Sequence, residues 1–302
     1  MSRNDTLASQ APPIEVNRAF WMVQDTVIVS DVSLSIERGQ RIVILGPNGA
    51  GKSSLLKLMG LIMQPSMGQV AILGQNPWAM GTEGMRALRT RIGWIPQGLQ
   101  VVGRLSVMNN AVLGSLARVS PLKTLIGWFP DEEIERARAA LQAVGMEDKA
   151  DRRTDTLSGG ERQKVAIARA LVQGGEVLLA DEPTAALDPV ASRDMMQLIR
   201  DLSRDRNLTT VTVLHDIDLA LEFADRILGM SDGKLVLDAP ASAVQREQLD
   251  RLYHHLPPDG PGSSGGERAV SAARRTGKAV LRLLTGRVVA ADGSKPPTGP
   301  KP

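Results

Sequence analysis

Gly46-Pro47-Asn48-Gly49-Ala50-Gly51-Lys52-Ser53 matches the pattern G-x-x-x-x-G-K-[ST] residue for residue. Those residue types at that spacing suit the phosphates of a nucleotide. Glycines let successive backbone N–H groups turn inward around the phosphates, Lys52 brings a point charge to the β/γ oxygens, and Ser53 offers a hydroxyl to Mg²⁺. The loop sits between a β-rich run, Gln40-Arg41-Ile42-Val43-Ile44-Leu45, and a helical start, Ser54-Leu55-Leu56-Lys57-Leu58-Met59. Strand, loop and helix in that order form the setting the motif needs. Candidate nucleotide contacts therefore run from Gly46 to Ser54.

Further chemistry-bearing residues stand at the ends of apolar runs. Val177-Leu178-Leu179-Ala180-Asp181-Glu182 reads as a buried parallel strand delivering two acids at its carboxyl end, where ligands of open α/β sheets bind. Behind a phosphate loop, Asp181 is expected to hold Mg²⁺, directly or through water, and Glu182 to polarise the attacking water. Thr209-Thr210-Val211-Thr212-Val213-Leu214 is a second such strand ending at His215, placed to hydrogen-bond the γ-phosphate or the water. Ile92-Gly93-Trp94-Ile95-Pro96-Gln97 is a third, and the Gln97 amide leaves it toward the nucleotide. Leu157-Ser158-Gly159-Gly160-Glu161 opens a helix with Ser158 as N-cap. Adjacent glycines weaken a helix without some other reason, which favours an anion at this positive helix end over a plain cap. Phe20-Trp21 is either a ring for the adenine or a core or edge-strand aromatic, and spacing leaves both open.

Positioning these groups takes a body of mixed architecture. Strand-like alternation at Ile14-Glu15-Val16 and from Thr26 to Ile36 predicts a small antiparallel sheet ahead of the loop, and Gly68 to Gly74 adds a short strand. Between 105 and 155, Val107, Ala111, Val112 and Leu116, then Ile134, Ala137, Leu141 and Val144, recur at helical spacing, predicting an inserted helical subdomain. Within it, Trp128-Phe129 is an interaction patch or, more simply, is buried between helices. Arg226 to Asp238 predicts a closing hairpin, and a helix at 247–252 ends the ordered body.

Composition limits the classes. The chain has 302 residues, 42% of them hydrophobic, 23% charged and only 3% aromatic, which argues against a nucleic-acid binder that stacks bases. No apolar run approaches the about 18 residues that span a bilayer, and no signal peptide opens the chain, so a cytosolic location is expected. With no cysteines and three histidines, no structural metal is expected. Residues 1–13 read as a disordered leader and 257–266 as a flexible linker. Beyond the linker, 267–302 is a basic tail. From Pro257 onward stand eight basic and three acidic residues, so the net charge of +3 belongs to the tail. Val270, Ala273, Gly277, Val280, Leu281, Leu284 and Val288 share one helical face beside Arg274, Arg275, Lys278 and Arg282, the pattern of a basic amphipathic helix for anionic lipid or a partner. Gly277 and Gly286 weaken that helix, and a disordered tail is the favoured reading.

In this order, the phosphate loop, Gln97, Leu157 to Glu161, Val177 to Glu182, Ala186-Leu187-Asp188 and His215 resemble the motif set of the ATP-binding cassette ATPases, over about residues 14–256. The resemblance implies an α/β fold: a P-loop NTPase core with an antiparallel β subdomain and an inserted helical subdomain, about residues 100–172. It implies that Gln97 senses the γ-phosphate and Mg²⁺, and that Ser158, Gly159 and Gly160 contact ATP held by a second protomer. Asp188 would lie at the dimer interface and His215 would be the switch histidine. Active sites would then form only in a head-to-tail homodimer, closed by two ATP and opened by hydrolysis. Two departures stand out. Glu161 occupies a position where glutamine is common, with activity expected to survive. Val16-Asn17-Arg18-Ala19-Phe20 is the best fit to the family's adenine-platform pattern, making Phe20 the first choice and Trp21 the second.

A closer resemblance, to the ATPase subunits of phosphonate importers, rests on Arg104-Leu105-Ser106-Val107, the segment from Leu113-Gly114-Ser115 to Trp128-Phe129-Pro130, and His215 to Asp225. It implies two transmembrane permease subunits and an extracytoplasmic substrate-binding protein as partners, a peripheral place on the cytoplasmic face of the inner membrane, and no nucleic acid. Phosphite or phosphate-ester import would look alike. A soluble cassette switch acting on nucleic acid or the ribosome ranks far lower, since such proteins generally carry two cassettes or a long coiled coil, and this chain has neither.

Overall fold

The computed structural model describes residues 11–98, 101–125 and 127–254; most of the expected leader, the linker and the basic tail lie outside the described residues. Two compact units divide the chain, residues 1–21 with 28–259 and residues 22–27 with 260–302. Of the second unit only Met22–Val27 is described.

The described elements follow in order: β1 (Ile14–Val23), β2 (Thr26–Ile36), β3 (Arg41–Leu45), α1 (Lys52–Met59), β4 (Met67–Ile72), α2 (Thr82–Arg89), β5 (Ile92–Ile95), α3 (Val107–Val112), α4 (Pro121–Leu125), α5 (Asp131–Ala143), α6 (Gly159–Gln173), β6 (Val177–Asp181), α7 (Pro189–Asp205), β7 (Thr209–Val213), α8 (Ile217–Phe223), β8 (Arg226–Ser231), β9 (Lys234–Pro240) and α9 (Arg246–His254). A six-stranded sheet has the order β5-β6-β7-β3-β8-β9. Its first five strands are parallel and β9 returns antiparallel to β8. A three-stranded sheet has the order β2-β1-β4, with β1 antiparallel to β4.

Side chains of a strand alternate between its faces, so a strand covered on both sides must be apolar throughout. β3 and β6 show this. Val43, Leu45, Leu178 and Ala180 enter one core, shared with α3, α5, α6, α7, α8 and α9. Ile42, Ile44, Val177 and Leu179 enter the other, shared with α1 and the three-stranded sheet. Each fully buried Leu or Ile contributes about 1.5–3 kcal/mol relative to exposure, so this two-sided burial is what holds the strand ends in place.

Helices α3, α5 and α6 pack on one another beside this body. Ala137, Ala140 and Leu141 form the buried stripe of α5 at the three-to-four residue spacing of a helix face. Arg118 ties the group together. Its guanidinium grips both oxygens of Glu133 in the first turn of α5 (2.7 and 2.9 Å) and donates to the carbonyls of Val172 and Gln173 at the end of α6 (2.6 Å each). That satisfies two carbonyls that a helix end leaves bare. Arg118→Ala is expected to lower unfolding free energy by about 2–4 kcal/mol, because Glu133, 7% exposed, loses its counter-charge. The hydrogen bond from Arg118 holds the Glu133 carboxyl below its ordinary pKa. The pair's contribution is therefore full above the ordinary carboxylate range and is lost as pH falls through the lowered folded value. Urea unfolding at neutral and acid pH should show the wild type and Arg118→Ala converging in acid.

Candidate functional site at the carboxyl ends of the parallel strands

Strands β5, β6, β7 and β3 are consecutive neighbours, so whatever follows their carboxyl ends meets along one edge of the sheet. Those followers are Gln97, Asp181 with Glu182, His215, and the loop starting at Gly46.

The loop leaves β3 at Gly46, whose φ of +147° and lack of a side chain are both required: a Cβ there would lie 2.2 Å from the Met230 carbonyl oxygen of β8. Gly51 caps α1 in the left-handed conformation, and a Cβ there would lie 2.6 Å from the Ile28 carbonyl oxygen. Asn48 and Gly49 stand exposed at the loop's apex, while Ala50 and Gly51 are buried at its base. Lys52, 5% exposed, folds back so that its ammonium donates to the carbonyls of Gly46 (2.7 Å) and Pro47 (3.0 Å). Burial lowers its pKa, an effect countered by the negative charges of Glu182 and Asp181. A buried ammonium held only by loop carbonyls is ready to exchange them for phosphate oxygens.

Ser53 donates its hydroxyl to Asp181 Oδ1 (2.9 Å). Asp181 is 2% exposed, and its pKa is raised chiefly by burial, with the neighbouring Glu182 charge adding to the rise. A cation would remove that penalty, and a buried carboxylate beside a hydroxyl at the foot of a phosphate loop is an oxygen donor set suited to Mg²⁺. Among the described residues no three His, Cys, Asp or Glu side chains cluster to cage a metal by themselves. The donor set thus fits an ion that takes its remaining ligands from phosphates and water.

Glu182 is held in an unusual backbone, with φ of +52° and its N–H bonded to the Val213 carbonyl of β7. A non-glycine residue in the left-handed region costs of order 1 kcal/mol, and the surrounding strands must over-determine it. The turn aims the side chain at two partners. Gln97 Nε2 donates to Oε2 (2.9 Å), and His215 Nε2 lies 2.6 Å from Oε1. A carboxylate only accepts, so His215 presents Nε2–H to it. Gln97, Glu182 and His215, apart in sequence, thus form one hydrogen-bonded group beside Asp181 and the loop.

The other expected residues lie elsewhere. Ser158 caps α6 in a reciprocal box: its Oγ accepts from the N–H of Glu161 (3.3 Å), and the Glu161 carboxylate accepts from the N–H of Ser158 (2.8 Å). A Cβ on Gly159 would meet nothing within 4 Å, and one on Gly160 only Leu187, at 3.9 Å. Neither glycine is demanded by internal packing, so the helix end is left bare on its outer side. Asp188 caps α7, accepting from the N–H groups of Val190 and Ala191 (3.0 Å each), and Val190 beside it is 72% exposed. Ser54 is half-buried in α1. Phe20 is only 6% exposed. A bulge in β1 between Asn17 and Phe20, with Arg18 at φ of +46°, turns Ala19 and Phe20 both inward, and Trp21 packs half-buried on the core. Phe20 therefore has no open face for an adenine in this arrangement. Trp128 is 47% exposed under the Lys123 ammonium, whereas Phe129 packs on the core.

Tyr253, the chain's single tyrosine, has a place in the site that its sequence position gives no hint of. From α9 its hydroxyl accepts the N–H of Gly46 (3.3 Å), where the loop begins. Burial raises its pKa.

The chain belongs to the ABC transporter family of ATP-hydrolysing cassettes, whose model matches residues 29–185. Among individual relatives, it is 44% identical to the phosphonates import ATP-binding protein PhnC of Caulobacter vibrioides, over 74% of this chain and 86% of that one. It is 42% identical to its namesake in Maricaulis maris, over 76% and 88%. Solved structures give the same class. The fold matches cbiO1 from Clostridium perfringens, part of the ABC transporter complex cbiONQ, with a TM-score of 0.70 at 29% identity over 80% of this chain and 93% of that one. It also matches a dimeric ATP-binding cassette in a post-hydrolysis state bound to ADP and Pi, with a TM-score of 0.65 at 29% identity over 76% and 98%.

Proposed function

We propose that this chain is the ATP-hydrolysing subunit of an importer for phosphonate or a related phosphorus oxyanion. The observation that carries the reading is the convergence, at one sheet edge, of Lys52, the Ser53–Asp181 pair and the Gln97–Glu182–His215 group. The phosphonate class rests on the relatives.

In this reading the loop amides from Gly49 to Ser54 cradle the phosphates, and Lys52 leaves its two carbonyls to balance charge on the β/γ oxygens. Ser53 and Asp181 would hold Mg²⁺, which supplies charge neutralisation at the phosphates, and Gln97 stands beside them. Glu182 takes the proton of the water that attacks the γ-phosphorus in line, and His215 donates a hydrogen bond that holds Glu182 in place. Phe20 or Trp21 stacks on the adenine once β1 uncovers a ring. A second copy, docked head to tail through the Asp188 turn, closes the site with its bare Ser158–Gly160 helix end. Residues 14–256 form the cassette, with a helical subdomain at about 100–172.

Two permease subunits would provide the membrane path. A groove of about 660 Å³ offers each a seat, lined by Gly60, Ile62, Trp94, Leu113, Leu116 and Ala117 among others. Arg89, Arg169 and Gln173 also line it, and its exposed apolar members, Ile62 at 51% and Leu116 at 45%, suit contact with a cytoplasmic permease helix. No described helix is long and apolar enough to cross a membrane, so attachment through the permease would place the subunit peripherally on the cytoplasmic face. A binding protein on the other side would select the ligand.

The test is growth on methylphosphonate as sole phosphorus source. A deletion strain should fail to grow on it, recover with the wild-type gene, stay without growth with Glu182→Gln, and grow in every case on inorganic phosphate. A deletion strain that grows normally on methylphosphonate would overturn the phosphonate reading.

A further inference from the structure

The capping box of α6 contains a charge that its setting makes awkward. Glu161 is a carboxylate at the end of a helix whose outer side, on the reading above, faces the triphosphate bound by a second copy. A neutral amide would make the same box without repelling phosphate. The structure shows how the charge is handled. Lys149, in the turn two segments before α6, donates from its ammonium to Glu161 Oε1 (2.5 Å), while Oε2 accepts the Ser158 N–H (2.8 Å). With one oxygen on each partner, the carboxylate is held in place at the cap, and the Ser158 side chain hydrogen-bonds it as well. Ser158 Oγ in turn accepts from the Glu161 N–H, so the cap ties the two residues together in both directions. The Lys149 hydrogen bond is the leading cause of a Glu161 pKa lowered to about 2, so Glu161 is a carboxylate at neutral pH.

We propose that Lys149 is a positioning residue for the composite ATP site. It acts through Glu161: it cancels that residue's charge next to the partner copy's phosphates and holds the carboxylate in the cap of α6. The inference rests on the reading that Ser158–Gly160 meets a second copy's ATP. Both side chains are about 30% exposed, so as a plain surface ion pair they would matter little to stability. The consequence falls on phosphate binding, where an uncompensated like charge is felt directly.

The test is a double-mutant cycle on the full chain, reading KM for ATP and kcat of hydrolysis separately. Lys149→Ala should raise KM roughly tenfold with kcat changed far less, and more strongly at low salt than at high. In the Glu161→Gln background the same substitution should change KM less than about twofold, because no charge remains to be cancelled. Lys149→Arg should behave as the wild type. An equal rise in both backgrounds would show a merely structural lysine, and no rise in either would show an idle one; each overturns the proposal. Ser158→Arg separates the two levels of argument. If it abolishes turnover while Lys149→Ala has no effect, only the Lys149 proposal fails. Normal turnover in Ser158→Arg would remove the reading that Ser158–Gly160 meets a second copy's ATP, and the proposal with it.

Discussion

Glu182→Gln is expected to reduce ATP turnover by about 10²–10³-fold while leaving ATP binding intact. The substitution keeps the shape of the side chain and can keep both hydrogen bonds: the amide oxygen accepts from His215, and the amide NH₂ faces Gln97, whose own amide can flip to present its oxygen. What it removes is the capacity to take a proton. Lys52, Ser53 and Asp181 are untouched, so the nucleotide should still bind and, on the proposed shared site, still draw two copies together. On the proposed shared site, opening would depend on hydrolysis, and the closed dimer should then accumulate. Turnover assays paired with sedimentation in the presence of ATP and Mg²⁺ would show an inactive dimer. A variant that turns over at the wild-type rate would move the base elsewhere.

Lys52→Ala should weaken ATP binding by about 100-fold, the scale of losing one charge-assisted contact to phosphate. The fold should tolerate it. The ammonium is buried but bonded only to the two loop carbonyls, and its desolvation already lowers its pKa, so removing it relieves a cost as well as losing two hydrogen bonds. The variant should unfold like the wild type without ligand and lose the stabilisation that ATP gives the wild type. Undiminished ATP binding would place the phosphates away from this loop.

Much of the site could be read in the sequence because its parts are local. A glycine loop between strand and helix needs eight consecutive residues, and Asp181 and Glu182 stand at the end of a strand whose apolar run announces two-sided burial. The gathering of Gln97, Glu182 and His215 was legible only as three strand ends; their meeting depends on the strand order β5-β6-β7-β3, which no run of residues encodes. Phe20 shows the limit more sharply. Alternation in β1 appears regular until a bulge at Arg18 turns two successive residues inward, and a bulge leaves no pattern in spacing. Lys149 and Tyr253 were invisible for a related reason. Each makes its contact through a turn or a crossover from a position with ordinary surroundings, 12 residues from Glu161 in the first case and 207 from Gly46 in the second.

The claim at the centre of this account is that one ATP site takes Lys52 from one copy and Ser158 from another. Mixing two inactive variants tests it. Lys52→Ala chains retain a sound Ser158 turn, and Ser158→Arg chains retain a sound phosphate loop, so a dimer of one of each contains one complete site and one doubly broken one. Each variant alone should be inactive. An equal mixture should regain hydrolysis, up to roughly a quarter of the wild-type rate for random pairing with independent sites. A mixture as inactive as its components would contradict the shared site.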